Sequence, residues 1–391
     1  MARHYSLLTV AVSVALLASC SGDDTTIGTP QSSTNGGTND SLPGDSVPPS
    51  LDVHADAPFP AQRCEENRAA GLITYLSGFD FTASAGIVDV LVAEANGYYD
   101  DLCLDVEIKA SFATDNYPVI AANDAQFASG GSFSEVVDFA GANDAGFVAL
   151  SVEGRTGIDA LITKAGEVAT LTDIRGQKIG VKGAITPSVR AMLAQAGLVL
   201  DVDYETVGLD GFDPTVHIEV PDIVGFPGYK SNEPGQLERS GVPFKLYDPS
   251  DYGIPGSFGV IYTNLTFLQE HPTAAQDFMR ATMRGLADAI ADPKAAVQIA
   301  IDNINANGNA LFVTPETEQA RWGVESALVA GAVAPHAPLG LPLVDDLLHE
   351  VTVYAEVGLF GGEVPLIDTL VDESVLEGVY DDTGKIIWPA G

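Results

Sequence analysis

The chain has 391 residues, 46% of them hydrophobic, and its 54 acidic and 18 basic side chains give a formal net charge of −36. A surface this acidic repels phosphate backbones, which makes nucleic acid a poor partner. After a polar N-terminal stretch about 330 residues remain, more than one hydrophobic core usually serves, so we expect two lobes.

The N-terminus has the features of a bacterial export signal. Arg3 provides a basic start, and residues 7–17 are apolar, but they are too few to span a bilayer, which takes about 20 residues. The segment ends in Leu17-Ala18-Ser19-Cys20, which resembles the lipobox at which a signal peptidase cuts and the cysteine acquires diacylglycerol. We therefore predict a signal peptide over 1–19 and a lipid anchor at Cys20, with an ordinary secretory signal as the alternative. The anchor would hold the exported protein at the outer face of the cell membrane, at the cell surface or in the periplasm.

Residues 20–62 have the composition of a flexible tether. Ser, Thr, Gly, Asp and Pro dominate, and large apolar side chains are almost absent before Leu51. Such a segment buries too little surface to offset the entropy of ordering it. About 40 flexible residues have a root-mean-square reach of roughly 35 Å, so the tether would let a folded body search the membrane beside its anchor.

Two further cysteines, Cys64 and Cys103, complete the three in the chain. In an oxidising compartment this even pair predicts a disulfide, with two free buried thiols as the alternative. No Cys or His pair has the spacing of metal ligands, so we expect no metal site. The six histidines are scattered and show no order of a catalytic triad, so we predict no catalytic residue and no cofactor.

From residue 71 the chain alternates strand-like and helix-like segments, the pattern of an α/β fold. An apolar helical face recurs over 85–95, and Ser132-Phe133-Ser134-Glu135 has the form of a capping box that starts a helix. The predicted strands of this first part are 71–76, 104–108, 125–128, 147–152 and 159–163.

A similar cycle begins again at Leu171, and the remainder of the chain is mainly helical. The predicted strands are 174–181 with its leading turn, 204–207, 222–225, 244–247 and 258–263. The predicted helices are 188–196, 232–239, 266–270, 273–291, 294–304, 315–330 and 343–357.

Four segments in order carry a resemblance to the SsuA/THI5 (NMT1-like) family of ABC-transporter substrate-binding proteins. Residues 85–108 resemble the family's opening helix, Gly-Tyr-Phe turn and Leu-Asp-Val-Glu strand. Residues 171–181 resemble its Leu-x-Asp-Leu-Lys-Gly-Lys-x-Ile-Gly-Val element, and 228–241 resemble a Tyr-x-x-Asn-Glu-Pro segment of vitamin-binding members. Asp251-Tyr252-Gly253-Ile254-Pro255 is similar to the Tyr-Gly-Val-Pro of THI5-like proteins.

The resemblance implies a type II periplasmic-binding-protein fold, in which two α/β lobes are joined by two crossings and enclose a cleft. It places the first lobe at 63–165 and 265–391, the second at 166–264, and the crossings near 159–171 and 259–265. The implied function is that of the extracytoplasmic solute-binding component of an ABC importer, with a membrane permease as partner and no enzymatic activity.

Loops that follow predicted strands are the candidate ligand contacts, because ligands of α/β folds usually lie at the carboxyl ends of strands. Phe79 and Phe81 are suited to stacking on a planar ring and Asp80 to accepting hydrogen bonds from ring amines, with core packing of the two rings as the alternative. Asn232 has the alternative role of capping a helix. The full candidate set is Phe79, Asp80, Phe81, Ser84, Ser132, Ser134, Thr186, Tyr229, Asn232 and Glu233.

The aromatic and acidic character of these loops favours a neutral or cationic heteroaromatic solute, such as a pyrimidine thiamine precursor or a flavin-like vitamin. A sulfonate or nitrate would need a positive counter-charge, for which Lys182 and Lys230 are the candidates. Two other functions stay open: a THI5-like pyrimidine synthase, although the CCCFC motif of the eukaryotic members is absent, and a surface sensor or adhesin with an inactive binding fold.

Overall fold

The computed structural model describes residues 51–309, 313–334 and 337–390. Cys20, the predicted signal peptide and most of the predicted tether lie outside the described residues. The described end of the tether packs against the body, since Val53 is buried and the Leu51 carbonyl accepts a hydrogen bond from Arg63. Among the described residues, no helix combines the length and the apolarity needed to cross a membrane.

The strands agree closely with the periodicity of the sequence. In chain order they are β1 (Leu72–Leu76), β2 (Asp105–Lys109), β3 (Phe127–Gly130), β4 (Phe147–Gly154), β5 (Asp159–Lys164), β6 (Lys178–Val181), β7 (Glu205–Gly208), β8 (Gly225–Tyr229), β9 (Phe244–Tyr247) and β10 (Phe258–Asn264).

The helices are distributed along the whole of the described chain. They are α1 (Ala61–Ala69), α2 (Val88–Ala95), α3 (Tyr98–Asp101), α4 (Ala113–Ala121), α5 (Phe133–Asn143), α6 (Pro187–Gln195), α7 (Pro214–Glu219), α8 (Glu233–Arg239), α9 (Leu265–Glu270), α10 (Pro272–Ala291), α11 (Pro293–Asn307), α12 (Pro315–Gly331), α13 (Val344–Glu356) and α14 (Ser374–Glu377). The predicted capping box at Ser132 is present at the start of α5.

The first lobe is built on a five-stranded sheet in the order β2-β1-β3-β10-β4. β1 runs parallel to β2 and β3, whereas β10 lies antiparallel between β3 and β4. Successive residues of β1 and β3 point to opposite faces: Tyr75 and Phe127 enter one core, and Leu76 and Ala128 enter the other. Helices α1 to α5, α9 to α12 and α14 cover this sheet.

The second lobe is built on a five-stranded sheet in the order β7-β6-β8-β5-β9. β6 is parallel to β7 and β8, and β5 lies antiparallel between β8 and β9. Helices α6 to α8 pack on it. Because β6, β7 and β8 run in the same direction, their carboxyl ends present their loops at one edge.

Both crossings differ from the expected positions. β5 belongs to the second sheet and β10 to the first, so the chain crosses at 155–158 and again at 248–257, ahead of the expected 159–171 and 259–265. The two strands are continuous buried runs, and such runs do not specify which sheet they join. The lobe boundaries expected at 165 and 264 move accordingly.

The helix α13 also departs from the expected assignment of 265–391 to the first lobe. Its Tyr354 is part of the hydrophobic core of the second lobe, whereas its Glu350 accepts a hydrogen bond from the Ser134 backbone N–H of the first. The helix therefore contacts both lobes beside the crossings.

The predicted disulfide is confirmed. Cys64 in α1 is bonded to Cys103, which follows α3. The two cysteines are 39 positions apart in the sequence. The bond ties α1 to the segment between α3 and β2, at the edge of the first-lobe sheet.

Candidate solute-binding cleft

A cleft lies where the loops of the two lobes meet. It encloses a cavity of about 200 Å³, bordered by the loops after β1 and β2 in the first lobe and by the ends of β6, β7 and β8 in the second. One face of α12 completes it. The lining residues are Gly78, Phe79, Phe112, Ala113, Thr114, Lys182, Ala184, Thr186, Phe212, Pro227, Gly228, Tyr229, Asn232, Glu233 and Arg321.

Three phenylalanines from both lobes meet in this cleft. Phe112 of the first lobe and Phe212 of the second are parallel to within 2°, with ring centroids 5.7 Å apart. The Phe79 ring makes edge-to-face contacts with both. Its centroid lies 5.6 Å from the Phe112 centroid and 5.1 Å from the Phe212 centroid. The parallel pair is an offset stack, the arrangement that aromatic groups prefer, and Phe112 is still 40% exposed. The cleft therefore offers flat apolar faces from opposite sides.

The cations that line the cleft are already paired. Lys182 Nζ lies 3.4 Å from a Glu233 carboxylate oxygen and 5.1 Å from the Phe212 ring centroid. Arg321 bonds Glu318 at 3.2 Å through Nε and the Asn232 side-chain oxygen at 2.9 Å through its terminal nitrogen. Lys230 lies outside the lining and pairs with Asp248 at 2.7 Å. Both lysines considered as counter-charges for an anion are therefore neutralised by carboxylates.

A smaller inner pocket of about 40 Å³ extends from the cleft into the first lobe. Ser84, Gly131, Tyr229 and Glu325 are among its lining residues. Burial raises the pKa of the Tyr229 hydroxyl well above its ordinary value, so this hydroxyl is a neutral hydrogen-bonding group at all moderate pH values.

Two hydrogen bonds join the lobes across the cleft. Ser231 in the second lobe donates to Glu325 of α12 at 2.6 Å, and Arg321 of the same helix donates to Asn232 at 2.9 Å. Together with the stack of Phe112 on Phe212 they hold the lobes in contact, so the described arrangement is a closed one.

The structure brings together six of the residues that the sequence selects. Phe79, Thr186, Tyr229, Asn232 and Glu233 line the cleft, and Ser84 lines the inner pocket. The Thr186 hydroxyl is buried without a hydrogen-bond partner among the described residues, although Thr186 precedes α6, where its side chain would ordinarily cap the helix.

Four other selected residues serve the fold and are absent from the lining of the cleft. The Asp80 carboxylate accepts hydrogen bonds from the backbone N–H groups of Phe81 and Asn309. Phe81 itself is buried in the first-lobe core. The hydroxyls of Ser132 and Ser134 lie 3.0 Å apart, and Ser132 caps α5. Phe81 thus matches the core-packing alternative, and Ser132 belongs to the capping box that starts α5.

Sequence reasoning missed Phe112, Phe212, Arg321 and Glu325. The two phenylalanines stand in short loops without a recognisable motif. Glu318, Arg321 and Glu325 share one face of α12 with Trp322, and all four are buried. That spacing is the signal present in the sequence. Charged residues that fall on the same helical face as an apolar residue indicate buried charges rather than a solvent-exposed face.

Two α/β sheets, two crossings and a cleft at the carboxyl ends of strands define the periplasmic-binding-protein fold. A solved Staphylococcus aureus structure, the ligand binding component of an ABC-type import system, is similar with a TM-score of 0.56 at 12% identity, over 78% of this chain and 98% of that one. A Candida albicans protein, described as having the generic periplasmic binding protein fold, is similar with a TM-score of 0.53 at 15% identity, over 77% and 95%.

The family described as NMT1/THI5 like matches residues 84–296, and the chain belongs to it. A curated relative, the riboflavin-binding protein RibY of Chloroflexus aurantiacus, is 32% identical over 139 residues. That match covers 35% of this chain and 39% of the relative, so this chain spans well under half of the relative it matches.

Proposed function

We propose that the protein is the extracytoplasmic solute-binding component of an ABC importer, and that its solute is a small heteroaromatic molecule held between the lobes. The observation that supports it is the group of Phe79, Phe112 and Phe212, contributed by both lobes to one cleft. Planar rings stack favourably on such faces. A flavin-like vitamin or a pyrimidine thiamine precursor has the required shape, and the partial similarity to a riboflavin-binding protein agrees with this class.

Capture follows from closure of the lobes. When the lobes separate, Phe212 leaves Phe112, and a planar solute can enter the cleft and stack on the exposed ring faces. Closure then brings Ser231 back to Glu325 and Arg321 back to Asn232 around the solute. Because the solute contacts both lobes only in the closed form, it shifts the population toward that form, which a permease can recognise.

Polar groups at the cleft edge would orient the solute. The Thr186 hydroxyl is buried and has no hydrogen-bond partner in the part of the chain that the structure describes, and Tyr229 lines both the cleft and the inner pocket. A ring nitrogen, carbonyl or amine of the solute can satisfy these hydroxyls, because a hydroxyl both donates and accepts. An alkanesulfonate would instead meet lysines already paired with carboxylates, which disfavours the anion-binding alternative.

A panel of three solutes tests this function. Calorimetry on the purified protein with riboflavin, an aminopyrimidine and an alkanesulfonate should show binding of a heteroaromatic solute. Phe212→Ala should weaken that binding by roughly 10–100-fold through loss of stacking and apolar contact. Leu366→Ala is the matched control, because Leu366 is 85% exposed and is absent from the cleft lining.

Tight binding of the alkanesulfonate with none of either heteroaromatic would overturn the proposal. Recovery of the bound solute unchanged after incubation separates a binding protein from a pyrimidine synthase, which would consume it. Absence of stabilisation by any solute in the panel would favour an inactive binding fold.

A further inference from the structure

We propose that the chain's own carboxylates, with Glu325 foremost, occupy the position in the first lobe where an anionic group would bind, and thereby restrict the cleft to neutral or cationic solutes. The inference rests on the proposed function, because it names the charge class of the solute captured in the cleft. It makes Glu325 a specificity-determining residue.

The loop 83–86, which leads into α2, points three backbone N–H groups at buried glutamates. Ala83 donates to Glu318 at 2.6 Å, and Ala85 donates to Glu325 at 2.7 Å. Gly86 donates to Glu153 at 3.1 Å. N–H groups at the beginning of a helix attract anions, and here carboxylates of the protein already satisfy them.

Glu325 is the member of this group that reaches the solute pocket. It lines the inner pocket, and it is 1% exposed. One carboxylate oxygen accepts hydrogen bonds from the Ala85 N–H and the Ser84 hydroxyl, and the other accepts one from Ser231 of the second lobe. The Ala85 N–H can only donate, and the two serine hydroxyls lie within donating distance, so both carboxyl oxygens have hydrogen-bond donors.

Burial and hydrogen bonding act on Glu325 in opposite directions. The pKa of Glu325 is raised above its ordinary value, because burial raises it and the hydrogen bonds from Ser231, Ala85 and Ser84 and the charge of Arg321 lower it only in part. The donors contact both oxygens, so the carboxyl group itself occupies the place that an anionic group of a solute would have to enter.

An anionic solute would therefore find no unpaired cation among the described residues of the cleft and no free backbone N–H group in the loop 83–86. The N–H groups of 83–86 are occupied, Arg321 is paired with Glu318, and Lys182 is paired with Glu233. A neutral ring stacked on Phe112 or Phe212 incurs no such repulsion, and a ring amine can donate a hydrogen bond to a nearby carboxylate.

Truncation of Glu325 should open the blocked position. In Glu325→Ala the N–H of Ala85 and the hydroxyl of Ser84 lose their acceptor and become available to a small anion. We expect inorganic sulfate and methanesulfonate to bind this variant about tenfold or more tightly than the unmodified protein, by calorimetry at fixed ionic strength. Glu316→Ala removes the same charge from an exposed position of the same helix and should leave anion binding unchanged.

A second variant keeps the inference testable if Glu325→Ala does not fold. Glu325→Gln keeps the shape and the acceptor oxygen but removes the charge, so it should reduce the preference for an amine-bearing over an amine-free ring solute while changing sulfate binding less than Glu325→Ala. Thermal melts establish which variants are folded. If Glu325→Ala does not fold, an unaltered preference in the folded Glu325→Gln contradicts the inference.

The outcomes for the inference and for the proposed function are separate. Heteroaromatic binding by the unmodified protein, together with a folded Glu325→Ala that gains no sulfate affinity, overturns the inference and leaves the function standing. Comparable binding of sulfate by the unmodified protein and by Glu325→Ala also overturns the inference. Absence of any heteroaromatic binding counts against the proposed function alone.

Discussion

Asp277 is a buried residue whose contacts reach both ends of the described chain. It has no exposed surface and accepts hydrogen bonds from Arg63 at 2.6 Å, Asn67 at 2.8 Å and Arg280 at 3.0 Å. Arg63 lies in α1, and Arg280 also donates to the Ile387 carbonyl. The carboxylate therefore links the first described helix to the C-terminal segment through α10.

Removal of this carboxylate should be strongly destabilising. Asp277→Ala leaves two buried guanidinium groups without a counter-charge, and we expect it to lower the free energy of unfolding by about 3–5 kcal/mol. Urea denaturation monitored by circular dichroism measures this. The control Asp302→Ala changes an exposed aspartate of α11 and should cost no more than about 0.5 kcal/mol. Equal stability of the two variants would refute the role of Asp277.

At the scale of residues, some features of the site carry a sequence signal and others carry none. Cys64 and Cys103 form an even pair in a chain whose N-terminus predicts export, so their bond could be predicted. Phe112 lies in an Ala-Ser-Phe-Ala loop and Phe212 in a Gly-Phe-Asp-Pro loop, and the two residues are 100 positions apart in the sequence. Their contact exists only because β2 and β7 end at the same cleft, and no local pattern encodes it.

At the scale of elements, periodicity predicted the strands and most helices but not their partners. β10 is a buried run that could enter either sheet, and it lies antiparallel between β3 and β4. The neighbours that fix this place are about 100 or more positions earlier in the chain. The four residues of α3 are too few for a helical period to be visible, and a proline, Pro118, lies inside α4.

Three elements bring acidic groups together beside the crossings, which makes stability depend on pH. They are Glu135 of α5, Asp159 of β5 and Glu350 of α13. Burial raises the pKa of Glu135 to about 8 and that of Asp159 to about 7, and each group raises the pKa of its neighbours further by charge repulsion. Burial also raises the pKa of Glu350. Lys230 and the Ser188 hydroxyl act in the opposite direction on Asp159.

The direction in which the free energy of unfolding changes with pH follows from proton linkage. A carboxyl whose pKa is higher in the folded state binds its proton more tightly there, so its contribution is complete below its ordinary pKa near 4 and is lost as the pH rises through 7 and 8. Each proton that the folded state holds and the unfolded state has released lowers the free energy of unfolding by about 1.4 kcal/mol per pH unit. We therefore expect the melting temperature to fall as the pH rises from about 5 to about 8, and we expect Asp159→Asn to flatten that dependence.

Melts at constant ionic strength check this expectation. Asp138→Asn is the matched control, because Asp138 is an exposed aspartate of α5, and it should keep the slope of the unmodified protein. A melting temperature that rises over the same interval, or an equal slope in Asp159→Asn and the unmodified protein, would show that the acidic groups do not control stability.

At the scale of the whole molecule, the proposed delivery of solute to a permease would require the folded body to stay near the membrane. The proposed lipid on Cys20 and the segment that follows it would confine the body to within tens of ångströms of the membrane, which raises its effective concentration at the permease without any new contact. Diacylglycerol supplies two acyl chains, and two hydrophobic signals suffice for stable anchoring whereas one is reversible.

Cys20→Ser should therefore move the protein from the membrane fraction to the soluble extracytoplasmic fraction. Solute uptake by cells should fall most at low solute concentration, where encounter with the permease limits the rate, whereas the solute affinity of the purified protein should not change, because the cleft residues lie in the folded body. Ser33→Ala, in the same segment, controls for an effect of substitution itself. Fractionation of cells expressing each variant, probed with an antibody to the protein, decides the point: retention of Cys20→Ser in the membrane fraction would mean that something other than a lipid on this thiol holds the protein there.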